Sequence, residues 1–126
     1  MARSNLTITS VTPAGANHGA QTPNITDGNE IVFTASKLMI IVTNNCSSGE
    51  DIICTAVSSQ SVSEPNFGSL AVADIPYTIA AGASKCFGCH SSNFNSAGKL
   101  NLDWAWADDQ NEGSQSDIDV YVYKAV

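Results

Sequence analysis

Apolar and polar residues alternate with a period of two through most of this chain, in short blocks bounded by Gly, Pro, Asn and Asp. Such a period puts every second side chain on one face of an extended strand, so the blocks read as antiparallel strands with one buried face each. Helical spacing is hard to find. Leu6, Ile8 and Val11 make a first strand that Pro13 ends, and the stretch from Ala14 to Asn29, with Gly15, Gly19, Pro23 and Gly28, reads as a long arm or loop. Ile31 and Phe33 alternate next, then Leu38, Ile40 and Val42, which meet a turn at residues 44–49. Residues 52–57 are expected to return from that turn as the second half of a hairpin.

Residues 58–69 are polar, with Pro65 and Gly68, and read as a surface connection between sheets. A strand follows over Asp74–Ile79; Pro76 has no N–H for a ladder bond, which puts that strand at an edge or Pro76 at a strand start. Ala81-Gly82-Ala83 forms the next turn, Lys85–Cys89 a short strand, and residues 93–98 a loop. Leu100, Leu102, Trp104 and Trp106 then alternate, and the last strand carries Ile118, Val120 and Val122 on one face and Asp119, Tyr121 and Tyr123 on the other. Between them lies an acidic loop over 108–117. Seven to eight strands at this spacing predict an all-β fold, an antiparallel β-sandwich or small β-barrel. The organisation is one domain: an N-terminal arm with the first strand over 1–29, and the β-sandwich over 30–126.

With 126 residues the chain is about one domain long and can bury a core without staples. Its charge restricts partners. Five basic residues against twelve acidic ones give a net charge of −7, which repels a phosphate backbone and anionic lipid alike. Nucleic acid and membrane are therefore not expected as partners, and the longest apolar run, Leu38–Val42, is far below the roughly 20 residues that span a bilayer. No charged region followed by an apolar stretch marks the N-terminus as a secretory signal, so synthesis is expected in the cytosol, and the sequons at Asn5, Asn24 and Asn45 carry no meaning there.

Cys86-Phe87-Gly88-Cys89-His90 has the CxxCH spacing of haem attachment, with Met39 or His18 as a second axial ligand. Covalent haem also needs export and a helical pocket, neither of which the sequence offers. Zinc would take Cys46, Cys54, Cys86 and Cys89, with His90 or His18 in reserve, but Cys46 and Cys54 lack ligand spacing. No cofactor and no metal are expected. As a disulfide framework the four cysteines allow three pairings, and a link from Cys46 or Cys54 to Cys86 or Cys89 would contribute about 3 kcal/mol. The competing reading keeps them reduced, as small apolar fillers.

Asp108, Gln110, Glu112, Gly113 and Asp119 fall on calcium-loop positions, yet strands flank the loop where an EF-hand has helices, so it reads as a solvated hairpin loop; Asp108, Asp109, Asp117 and Asp119 would be the ligands otherwise. Nucleophilic catalysis lacks its parts: His18 and His90 lie in loop-like sequence, with no nucleophile elbow and no phosphate-cradling glycine loop. The chain is not expected to be an enzyme. Trp104, Trp106, Tyr121 and Tyr123 serve sheet packing on one reading and a sugar-stacking platform on the other.

The order of segments after residue 26 resembles a family of small phage head decoration, or capsid cement, proteins. Asp27-Gly28-Asn29 precedes a strand; Leu38-Met39-Ile40-Ile41-Val42-Thr43-Asn44-Asn45 looks like the family's apolar strand ending in a polar turn. Leu70-Ala71-Val72-Ala73-Asp74-Ile75, followed by Tyr77-Thr78-Ile79-Ala80-Ala81-Gly82, is similar to its most typical stretch, LAVAD…TVPAG. Phe94-Asn95 with Gly98-Lys99-Leu100, and Ile118 to Tyr123, resemble its later strands. The four cysteines and the longer 108–117 loop depart from that pattern. The resemblance implies a virion structural protein, made in the host cytoplasm and located on the capsid surface, whose partners are the major capsid protein and copies of itself as a dimer or trimer. A carbohydrate-binding or adhesin-like module is the alternative, and a neck or tail protein a variant. The expected capsid-contacting arm contains Ser4, Asn5, Leu6, Pro13, His18 and Pro23.

Overall fold

The computed structural model describes residues 2–17, 19–32, 38–58, 61–64, 68–71, 73–88, 95–96, 98–108 and 113–125. They form a β-sandwich. Twelve strands run in chain order: β1 (Ser4–Asn5), β2 (Thr9–Val11), β3 (Asn29–Val32), β4 (Leu38–Asn44), β5 (Ile52–Ala56), β6 (Ser61–Glu64), β7 (Gly68–Ala71), β8 (Ile75–Ile79), β9 (Ser84–Gly88), β10 (Asn95–Ser96), β11 (Lys99–Trp106) and β12 (Ile118–Ala125). Among the described residues the only helical turn is a 3-10 turn, Gln115–Asp117, capped reciprocally by Ser114 and Asp117.

One sheet has the order β1-β3-β11-β5-β8, with β10 also paired to β11; the other has the order β2-β12-β4-β9. Both are mixed sheets, because β1 runs parallel to β3 and β2 parallel to β12, while the remaining pairs are antiparallel. Strand alternation explains the core directly. Ile31, Ile52, Cys54, Ala56, Ile79, Leu100, Leu102 and Trp104 face inward from the first sheet, and Leu38, Ile40, Val42, Phe87, Ile118, Val120 and Val122 from the second. Where the two sheets meet beside β8 and β9, the rings of Tyr77 and Phe87 stack with centroids 4.0 Å apart.

Three expectations are corrected. β4 and β5 are not a hairpin: β4 pairs with β12 and β9, and β5 with β11 and β8, so residues 45–51 cross from one sheet to the other. Buried Asn44 makes that crossing possible by donating to the carbonyls of Glu50 and Ile79 and accepting from the Cys46 N–H. The polar stretch 58–69 is not only a connection, because β6 and β7 form a two-stranded ribbon within it.

The N-terminal arm is built into the sandwich instead of lying free. Ser4 and Asn5 pair with β3, Leu6 is in the core, Pro23 is buried, and Thr9–Val11 extend the second sheet. A single large apolar residue followed by a period-two pattern is enough to anchor such a segment between two sheets. Gln21 reinforces it, exchanging backbone hydrogen bonds with Val120 and gripping the backbone of Thr7 through both ends of its side-chain amide. Pro13 is exposed, in the surface stretch after β2, and His18 lies outside the described residues. Pro76 falls where its missing N–H requires, on the edge strand β8.

Candidate functional site, the outer face of the four-stranded sheet

The outward faces of the two sheets differ in chemistry. On the six-stranded sheet the outward positions include Glu30, Lys99, Asn101, Asp103, Thr55 and Thr78, and two ion pairs cross it: Lys99 Nζ to Glu30 Oε2 at 3.3 Å and Arg3 to Asp103 Oδ1 at 2.7 Å. That face is charged along these rows, although Val32, opposite Lys99 on it, is 53% exposed.

The four-stranded sheet presents a different surface. Its registers set the outward side chains in rows: Tyr123, Met39 and Gly88; Tyr121, Ile41 and Cys86; Asp119, Thr43 and Ser84. Thr9 and Val11 on β2 extend the face beyond Tyr123. Met39 and Val11 are 44% and 45% exposed, and the rings of Tyr121 and Tyr123 lie nearly parallel, 6° apart with centroids at 6.4 Å. Polar residues border the apolar rows on one side, where the Thr43 and Ser84 hydroxyls bond each other at 2.7 Å and Asp119 accepts from Asn45 at 3.0 Å. An apolar patch with a polar rim is the form of a docking surface.

The remaining sequence-predicted residues do not converge on one site. Cys46 and Cys54 are buried, Cys86 is exposed, and all three are free thiols; Cys89 lies outside the described residues. The staple between Cys46 or Cys54 and Cys86 is therefore not present. Its physical obstacle is the crossing of residues 45–51, which puts Cys54 inside the core from one sheet and Cys86 on the outside of the other. Burial pushes the Cys54 thiol well up from its ordinary value of 9.0, whereas the Ser48 hydroxyl, 3.0 Å from the Cys46 sulfur, draws that thiol down. Among the described residues no three His, Cys, Asp or Glu side chains gather as metal ligands; His18, His90 and Asp109 lie outside them.

The four aromatics do not make one platform. Trp104 is buried and Trp106 packs against the core on the inward side of β11, while Tyr121 and Tyr123 stand on the outward side of β12. The sequence singles out the two tyrosines as a surface, but offers Met39 only as a haem ligand or strand residue and Ile41 and Val11 only as strand residues; that they adjoin the tyrosines depends on which strands are neighbours. No helix among the described residues is long and apolar enough to cross a membrane. Compared with family models, with curated proteins and with solved structures, the chain matches none.

Proposed function

We propose that this chain is a virion structural protein of the capsid decoration class, which seats the outer face of β2, β12, β4 and β9 on the outside of a phage head. The observation that carries the reading is the run of adjoining apolar side chains on the outer face of the four-stranded sheet, where exposed Met39 and Val11 flank the half-buried Tyr121 and Tyr123 rings; on the other sheet exposed Val32 sits beside the Lys99–Glu30 ion pair. Adjoining apolar side chains left in water on one sheet face favour a partner that covers them. The resemblance of Leu70–Ile75 and Tyr77–Gly82 to the decoration-protein pattern supplies the partner class, the major capsid protein. A sandwich whose β1 and β12 are both paired into sheets suits a part that holds a shell under tension. No cofactor enters this role and no reaction is required of it.

Purified heads of the phage that encodes the chain, incubated with the full protein, test the proposal. Saturable binding of copies in the hundreds is expected, with Met39→Asp and Tyr121→Asp weakening it at least tenfold while thermal unfolding stays unchanged. Heads that take up no protein would overturn it.

A further inference from the structure

The strand β9 is the last of its sheet, and among the described residues no strand pairs with its far side. Outside the β6–β7 ribbon, the other edges are blunted, and β10 has only two residues. β8 carries Pro76, β1 has two residues and β2 has three. On β9 the direction of the free groups follows from its ladder: Asn44 N–H donates to Ala83 O, so residues 83, 85 and 87 bond toward β4 while Ser84 and Cys86 turn their N–H and C=O groups outward.

We propose that two copies of this chain pair antiparallel through β9, about a twofold axis at Cys86, joining their four-stranded sheets into one sheet of eight strands. In that register Cys86 exchanges both backbone hydrogen bonds with the partner's Cys86, and Ser84 lies opposite the partner's Gly88. Lys85, the only charged residue of the strand, faces the partner's Phe87, whereas an axis at Lys85 would oppose two lysines. The strand carries no acid, so two chains of net charge −7 meet where neither is negative.

Pairing also continues the apolar face. The row Tyr121, Ile41, Cys86 runs on into the same row reversed in the second copy. Four strands about 4.8 Å apart and seven residues of about 3.4 Å make a footprint of roughly 450 Å², half of the ~800 Å² per partner of a standard interface, and the pair doubles it. This last step rests on the shell-docking reading; the edge pairing does not.

Sedimentation equilibrium of the full chain under reducing conditions tests it. A concentration-dependent dimer is expected. Cys86→Pro, which removes an N–H that bonds nothing in the single chain, and Cys86→Asp, which opposes two carboxylates, should each weaken the dimer at least tenfold without changing far-UV circular dichroism. In a Cys89→Ser background, oxidised glutathione should accept the two electrons of one disulfide per dimer, formed between the two Cys86 thiols, because a hydrogen-bonded pair at about 5.5 Å between Cα atoms lies in disulfide range. A monomer at the highest soluble concentration, or a dimer that Cys86→Asp leaves intact, overturns the pairing. Head binding is scored separately with Tyr121→Asp: a dimer that ignores heads removes the docking reading alone, and a head-binding monomer removes the pairing alone.

Discussion

The indole N–H of Trp104 donates to Asn29 Oδ1 at 2.8 Å inside the core, and this bond ties the N-terminal segment to the centre of the six-stranded sheet. The same Asn29 oxygen accepts the Asn24 N–H at 2.9 Å, and its amide nitrogen donates to Ser4 O at 3.1 Å. One fully buried side chain thus satisfies three partners on three segments. Asn29→Ala leaves the buried Trp104 indole and the part-buried Asn24 amide without acceptors, and should cost about 3 kcal/mol. Trp104→Phe removes one donor and leaves Asn29 its other two bonds, so about 1–2 kcal/mol is expected. Urea titrations of the two variants should rank them in that order.

Gly28 adopts φ +82°, as Gly82 does at φ +80°, but their surroundings differ. A Cβ at Gly28 would strike the Arg3 guanidinium and would lie 2.9 Å from both Asp103 Oδ1 and Leu102 O, whereas nothing lies within 4 Å of one at Gly82. Gly82→Ala should lose only the backbone preference, about 1 kcal/mol. Gly28→Ala should add the displacement of the Arg3–Asp103 pair and of the β11 backbone, for a total of about 3 kcal/mol. Equal losses in thermal unfolding would show that the crowding around Gly28 relaxes freely.

The long core strands were legible in the sequence, while the short β6, β7 and β10 and the partners of every strand were not. Ile118, Val120 and Val122 announce a buried face by period alone, and Pro76 announces an edge by its chemistry. Seven residues between β4 and β5, however, suit a hairpin and a crossing equally well, and the choice depends on Asn44, whose amide reaches the carbonyls of Glu50 and Ile79 only after both sheets exist. The apolar outer face shares this origin. Met39 and Ile41 fall on the polar phase of their strand, where period-two reading expects solvent, and they become a patch only beside Tyr121 and Tyr123 on the neighbouring strand. Leu6 was legible as a strand residue beside Ile8 and Val11, but its assignment to a capsid-contacting arm hid its place in the core.

Alkali should unfold the protein earlier than its composition suggests. Burial raises the Cys54 thiol well above 9.0, and burial raises the Tyr77 hydroxyl as well. A group whose pKa is higher in the folded state stabilises fully below its unfolded value; above that, the unfolded chain loses a proton that the folded chain keeps, and stability falls. For Cys54 the fall begins near pH 9.0 and approaches about 1.4 kcal/mol per pH unit. Urea midpoints between pH 8 and 10.5 should therefore drop for the wild type and drop less steeply for Cys54→Ala, after correction for its lower stability at pH 7. Parallel curves would mean that Cys54 meets water in the native state.

The N-terminal segment offers the sharpest separation between an arm and a structural part. Leu6 is 3% exposed among the core residues, Thr7 is gripped by Gln21, and the strands on either side of them belong to different sheets. Leu6→Ala should cost about 3 kcal/mol through lost contacts and the cavity left behind. Deleting residues 2–11 removes that anchor and an edge strand from each sheet, uncovering β3 and β12, and should yield an unfolded or aggregating chain. Replacing residues 14–17, which are exposed and make only a local turn with Thr12, by a shorter connection should cost under about 1 kcal/mol. A folded, monodisperse 2–11 deletion with native near-UV circular dichroism would restore the free-arm reading that the paired strands now displace.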